Sequence, residues 1–269
     1  MLKRALCAAL IGTALPGVAS AASGSGLPAG LNGAVMSTAA LDAPTFPERG
    51  RYLLVDAASA QLYMVEDGAV RDTMRVIVGK PASQTPVVAS KIYWATLNPY
   101  WNVPADLAQK LIAPRVLAQG VKYIREHNYE VLASFDDGAP EISPDVVDWR
   151  AVADGRATVK LRQRPGPANS MGRVKFGFAN NAGIYLHDSP EKELFAKDQR
   201  NLSNGCVRLE DAPRLARWLM GRDPTAQGEA PEQHVLLPQA TPIYITYLNA
   251  PAEPSALALG GGNPQIASR

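Results

Sequence analysis

Two side chains in this 269-residue chain have the types needed for covalent acyl transfer. His187 directly follows the apolar run Ile184-Tyr185-Leu186, and Cys206 stands nineteen residues later in Ser203-Asn204-Gly205-Cys206-Val207-Arg208. A thiol becomes a nucleophile at neutral pH only with a base or a positive neighbour beside it. His187 offers the first and Arg208 the second. Acyl transfer also needs donors aimed at the developing oxyanion. The backbone N–H groups of Gly205 and Cys206 suit that role on a tight turn, and Ser203 can add a hydroxyl. Gly205 lets backbone approach a ligand closely because it has no side chain.

Each of these residues also has a blander reading. A lone histidine is commonly a satisfied structural residue, an arginine such as Arg208 a surface ion-pair partner, and a single cysteine a small buried apolar group. A metal site is the other chemistry that His and Cys support. His127, His187, His234 and Cys206 lack the close spacing of a metal motif, so a site would have to be assembled from distant residues, and no cofactor is expected.

The compartment sharpens the choice. Lys3 and Arg4, the apolar stretch Ala5 to Leu15, and Ala19-Ser20-Ala21 read as a cleavable export signal over residues 1–21. Gly12 and Pro16 interrupt the stretch, which is shorter than the roughly 20 apolar residues of a spanning helix. Cys7 is too early for a lipoprotein site. The expectation is an exported protein of the periplasm or cell envelope with no stable membrane span after cleavage. The full chain has 27 basic and 25 acidic residues; removing Lys3 and Arg4 leaves 25 of each, which gives no reason to expect nucleic-acid binding. Cys206 is then the one remaining thiol. In an oxidising compartment it is either buried and inert or kept for its reactivity.

The elements that must hold these residues are mostly strands. Residues 22–50 and 249–269 are rich in Ala, Gly, Ser and Pro and read as a flexible linker and a disordered tail. Tyr52–Val55, Gln61–Val65 and Met74–Val78, with a turn at Asp67-Gly68, suggest an antiparallel meander. Further strand signals lie at Thr158–Arg162, Val174–Phe178, Ile184–Leu186 and Ile243–Tyr247. Ser189-Pro190 reads as a helix start, and Ala212–Met220 as an amphipathic helix stopped by Gly221. Leu107, Leu111 and Ile112 fall at helical spacing with Pro114 as a break, and a short helix is expected over Val146–Val152. Residues 98–170 read as a partly helical lid without the apolar mass for a core of its own. The fold class is mainly β (α+β): a sandwich-like core over 51–248 with that lid inserted.

Gly183-Ile184-Tyr185-Leu186-His187-Asp188 followed by Leu202-Ser203-Asn204-Gly205-Cys206-Val207-Arg208-Leu209 resembles the signature of the L,D-transpeptidase (YkuD-type) family. Val78-Gly79-Lys80 with Thr85-Pro86 fits the start of that domain. Trp101-Asn102-Val103-Pro104, Arg164-Pro165-Gly166-Pro167 and Gly172–Phe176 resemble the subgroup with a large lid before the catalytic motif. The resemblance covers about Arg51 to Leu248. It implies Cys206 as nucleophile, His187 as base, Asp188 as the residue whose carbonyl orients that base, and peptidoglycan stem peptides as substrate. The Asp188 side chain either adds to that or caps the turn. Many members carry a second histidine where this chain has Asn204. Arg208 is the candidate to meet a substrate carboxylate, with Asn204 and Tyr185 also in the substrate groove. Trp101 and Tyr100 either line its lid side or pack the lid. Carbapenem-type β-lactams are implied as inhibitors. The alternatives left open are an L,D-carboxypeptidase or other wall hydrolase with the same residues, and a non-catalytic wall-binding protein.

Overall fold

The computed structural model describes residues 46–248, apart from Gln227. The export signal, the tail and most of the 22–50 linker lie outside the described residues. Strands β1 (Arg51–Asp56), β2 (Gln61–Glu66) and β3 (Ala69–Gly79) form the expected antiparallel meander. Its Asp67-Gly68 turn has φ of 50° and 71°, conformations these two residue types tolerate. The ordered fold begins before Arg51: Phe46 stacks on Tyr52 at 5.7 Å and meets Tyr244 edge-on at 5.1 Å, so the linker's last residues are part of the packing.

Strand β4 (Val88–Leu97), which the sequence reading passed over, leads into the insertion. There β5 (Trp101–Val103), β6 (Tyr129–Leu132), β7 (Glu141–Ile142) and β8 (Lys160–Gln163) make a separate four-stranded sheet in the order β5-β8-β6-β7. Helices α1 (Ala105–Leu107), α2 (Ala113–Gln119), α3 (Lys122–Glu126) and α4 (Trp149–Ala153) pack with it. The expectation of no independent core is overturned: Val103, Ile112, Val116, Tyr123, Ile124, Val131, Trp149 and Leu161 are buried together. These apolar residues are spread from Val103 to Leu161, too thinly for a sequence window to register. Nor does Pro114 break the helix. A π-helical turn over Ala108–Ile112 precedes it and Pro114 falls in the first turn of α2, where a missing N–H costs little.

The chain returns through β9 (Val174–Phe178), β10 (Leu186–His187), β11 (Asn201–Ser203) and β12 (Val207–Leu209), then α5 (Ala212–Met220) and β13 (Gln233–Thr246). The main sheet runs β11-β3-β12-β10-β9-β4-β13-β1-β2, and β2 pairs back onto β3, so the strand order closes on itself. Parallel pairs β1–β13, β10–β12 and β11–β3 mix with antiparallel ones. Leu53, Leu62, Met64, Phe176, Leu186, Val207 and Ile243 point inward into one core. Helix α5 is capped by Asp211, whose carboxylate accepts the Arg214 N–H at 2.9 Å, and is stopped by Gly221 at φ 70°. It seals the core with Leu215 and Leu219, each contributing about 1.5–3 kcal/mol by burial. The expected helix start at Ser189-Pro190 is instead a turn, with the 3₁₀ segment beginning at Lys192.

Candidate active site

Strand register brings the motif residues together. Leu186 pairs with Val207 and His187 with Arg208 across parallel β10 and β12, and the Val207 N–H reaches the Tyr185 carbonyl at 3.0 Å. Leu186 and Val207 are fully buried in the core. Side chains alternate along a strand, so His187 and Arg208 fall on the opposite face; extending the pattern to the residues just before each strand puts Tyr185 and Cys206 there too, with Cys206 half-buried against the edge of the core. Cys206 and His187 are diagonal neighbours on that face, a relation of about 7–8 Å between backbones that long side chains span.

His187 is only 4% exposed, and its Nδ1 lies 2.6 Å from the backbone carbonyl of Asp188. A carbonyl can only accept, so Nδ1 carries the proton and Nε2 is left as the free base. Burial drives the imidazole pKa down from 6.5 to about 4; the Asp188 carbonyl opposes this and Arg208 adds to it. Cys206 is a free, half-buried thiol. Burial pushes its pKa up, while a backbone hydrogen bond from Tyr185 and the charge of Arg208 pull the other way. The resting pair is therefore neutral imidazole and neutral thiol.

The cysteine turn is tied from three sides. Ser203 Oγ accepts the Gly205 N–H at 3.1 Å and donates to the Cys206 carbonyl at 2.6 Å. This corrects the expected roles of two residues: the Gly205 N–H is already engaged, and the Ser203 hydroxyl braces the turn instead of facing an oxyanion. The Cys206 N–H has no partner among the described residues. Gly205 has φ 122°, which a side chain would strain. Thr85, buried, accepts the Gly79 N–H and donates to the Gly205 carbonyl, both at 2.8 Å. Gly79 admits no side chain, since a Cβ there would lie 2.1 Å from the Ser83 carbonyl oxygen. The Lys80 N–H reaches the Ser203 carbonyl at 3.0 Å, and its Nζ reaches Asn204 Oδ1 at 2.8 Å. Asn204 is thus an amide paired to a lysine.

The Asp188 carbonyl orients the base, but its carboxylate turns away: Oδ2 accepts the Arg173 N–H at 3.0 Å and Oδ1 meets Lys192 Nζ at 2.6 Å. Gly172, at φ 62°, leaves room for that carboxylate, which a Cβ would approach to 2.5 Å. Arg208 is ion-paired with Glu191. Tyr185 is part-exposed, with Lys175 Nζ 5.7 Å from its ring centroid. Trp101 packs against the insertion's core, 6.3 Å from Tyr129, and Tyr100 lies under the Arg162 guanidinium at 4.0 Å, so both contact the inserted segment. Thr85, Lys192 and Glu191 went unread as site residues, and only Thr85 fell within a quoted motif.

Comparison with known proteins decides the family. Residues 50–245 match the sequence model of the YkuD family, the L,D-transpeptidase catalytic domain. The chain belongs to the L,D-transpeptidase family. A Haemophilus influenzae protein named as a candidate L,D-transpeptidase is 31% identical over 211 residues; the match covers 76% of this chain but 42% of that relative, less than half its length. Among solved structures, an L,D-transpeptidase from Mycobacterium smegmatis aligns over 73% of this chain and 58% of its own, at 16% identity and TM-score 0.34. L,D-transpeptidase 3 from Mycobacterium tuberculosis aligns over 73% and 61%, at 13% identity and TM-score 0.35, and has also been solved with a faropenem-derived adduct. The family assignment rests on the domain match and the Haemophilus relative. Among the described residues no helix is long and apolar enough to cross a membrane.

Proposed function

We propose that the chain is an exported peptidoglycan L,D-transpeptidase forming 3→3 cross-links through a Cys206 thioester. The observation that carries this is the tautomer of His187. Its Nδ1–H is held by the Asp188 carbonyl, so Nε2 is a neutral base on the face that bears Cys206. As the sulfur attacks the carbonyl after the third residue of a stem tetrapeptide, its proton passes to Nε2. The Cys206 N–H receives the oxyanion. The C–N bond to the terminal D-alanine breaks, and the imidazolium returns the proton to the leaving amine. The diaminopimelate amine of a second stem then attacks the thioester, losing a proton to Nε2, and the thiol is restored. Arg208 would exchange Glu191 for a substrate carboxylate. The same thiol would be acylated by carbapenem-type β-lactams.

The test is mass spectrometry of purified protein with disaccharide-tetrapeptide, wild type against Cys206→Ala. Alanine loss with dimer formation, absent in the variant, is the expected result. Tripeptide without dimer would make the enzyme a carboxypeptidase. No Cys206-dependent change, under conditions where a family member works, would leave a binding protein.

A further inference from the structure

On the face that carries Cys206, one row of residues runs straight across the sheet. Tyr185 lies beside Cys206, Gly177 beside Tyr185, and the register then pairs Gly177 with Trp94 and Trp94 with Leu236. At its far end both strands lose their regular alternation. In β4, Ile92 and Ala95 are both fully buried in the core, and the pairing with β9 skips a residue between them. The bulge turns the two consecutive aromatics Tyr93 and Trp94 outward together, with ring centroids 6.4 Å apart. In β13 the register jumps from Leu236 to Thr241 opposite the same place. Tyr93, Trp94 and Leu236 are 49%, 39% and 77% exposed. Trp94 is held in place: its indole lies over Gly177, where a Cβ would be only 3.7 Å away, and its edge faces His234 at 6.5 Å, which Thr96 fixes at 3.1 Å.

We propose that Tyr93, Trp94 and Leu236 form a sugar-binding platform for the glycan strand that carries the donor stem. The proposal rests on the transpeptidase reading of Cys206. Its chemistry is that of exposed, preorganised aromatic faces, which suit the apolar faces of pyranose rings. Its position supplies the rest. Trp94 is three strand steps from Cys206, about 14 Å at about 4.8 Å each. The three stem residues between the attacked carbonyl and the sugar span about 10 Å when extended. The lactyl ether that joins stem to sugar covers the few ångströms left. A stem lying along Tyr185 with its third carbonyl at the sulfur thus puts its own sugar on Trp94.

The experiment compares disaccharide-tetrapeptide with the free tetrapeptide as donors, in wild type and in the Tyr93→Ala/Trp94→Ala double variant. A parallel arm measures co-sedimentation with glycan strands stripped of their stems, using Cys206→Ala protein with and without the double substitution. The expected result is a KM roughly tenfold higher for the disaccharide donor in the double variant. The free peptide should react equally with both proteins, and sedimentation should weaken with the aromatics removed. Equal use of both donors by wild type, or equal loss of both in a folded double variant, would overturn the platform. So would a self-association abolished by the double substitution with sedimentation unchanged, which would assign the patch to a second copy. Aromatic-dependent sedimentation without any stem chemistry would keep the platform and reject the transpeptidase reading.

Discussion

The charge state of His187 is the most exposed part of this mechanism. With the folded pKa near 4 and the unfolded value at 6.5, the unfolded chain binds a proton between those pH values that the folded chain refuses. Stability therefore rises with pH across that window. The contribution is fully present above about pH 6.5 and is lost as pH falls towards 4. At about 1.4 kcal/mol per unit, the loss is about 3 kcal/mol. His187 is almost fully buried, so solvent screening does little to reduce it. Other groups titrate over the same range, so the readout must be a difference. Urea unfolding of wild type and His187→Gln at pH 7 and pH 4 isolates it, because the glutamine keeps a donor near the Asp188 carbonyl and does not titrate. Wild type should lose about 3 kcal/mol more than the variant on acidification. The imidazole resonance should titrate near 4 by NMR, and acylation of Cys206 by a carbapenem should persist through pH 5. A gap between the two proteins that stays within about 1 kcal/mol, or an imidazole titrating at 6 or above, would refute the neutral-pair reasoning. Titration above 7 would indicate an imidazolium–thiolate pair instead.

The bracing of the cysteine turn gives further tests. Thr85→Val keeps the shape but strands the Gly79 N–H and the Gly205 carbonyl, costing about 2–4 kcal/mol. That is a fall in Tm of roughly 10 °C, while Thr85→Ser should restore it; a thermal melt of both variants decides. Arg200 is buried and donates to the carbonyls of Val76, Ser59, Ala60, Lys197 and Asp198. A lysine cannot fork to five acceptors, so Arg200→Lys should lower the urea midpoint by the equivalent of about 2–4 kcal/mol; an unchanged midpoint would show that water replaces the guanidinium. Gly79→Ala must displace the Ser83 carbonyl, so it should slow thiol labelling of Cys206 at least tenfold in protein that still folds, and wild-type labelling would count against the loop as the support of the turn.

The family of this chain was legible because its motif is local. Cys206, Gly205 and Ser203 sit in one turn, and His187 follows a recognisable apolar strand. What reading along the chain missed is the set of long-range ties. Thr85 grips Gly205 from 120 residues away, Tyr247 donates to the Thr85 carbonyl across 162, and Arg200 reaches Ser59 across 141. No window joins such partners. Side-chain identity also misleads where backbone does the job. The sequence leaves the Asp188 side chain open between supporting His187 and capping the turn; the carbonyl meets His187 while the carboxylate braces Arg173 and Lys192.

The second core and the aromatic face were hidden for reasons of period. An insertion whose apolar residues alternate among short strands and helices shows no single period, although Tyr123, Trp149 and Leu161 meet in one core. Strand β4 failed to register for a related reason. Its alternation is broken at Tyr93-Trp94 by the bulge, and the break looks like an absence of strand. An interrupted period is a cost the fold carries where two aromatics must face outward together. Bulges are common beside active sites because they re-aim side chains. Restoring the alternation by deleting Tyr93 should leave β4 a regular strand, with Ile92 and Ala95 still in the core and Trp94 alone facing outward between them. If the platform serves the glycan, that deletion removes one of its two aromatics and should reduce the preference for a sugar-bearing donor while Cys206 still acylates; an unchanged preference would take Tyr93 out of the platform.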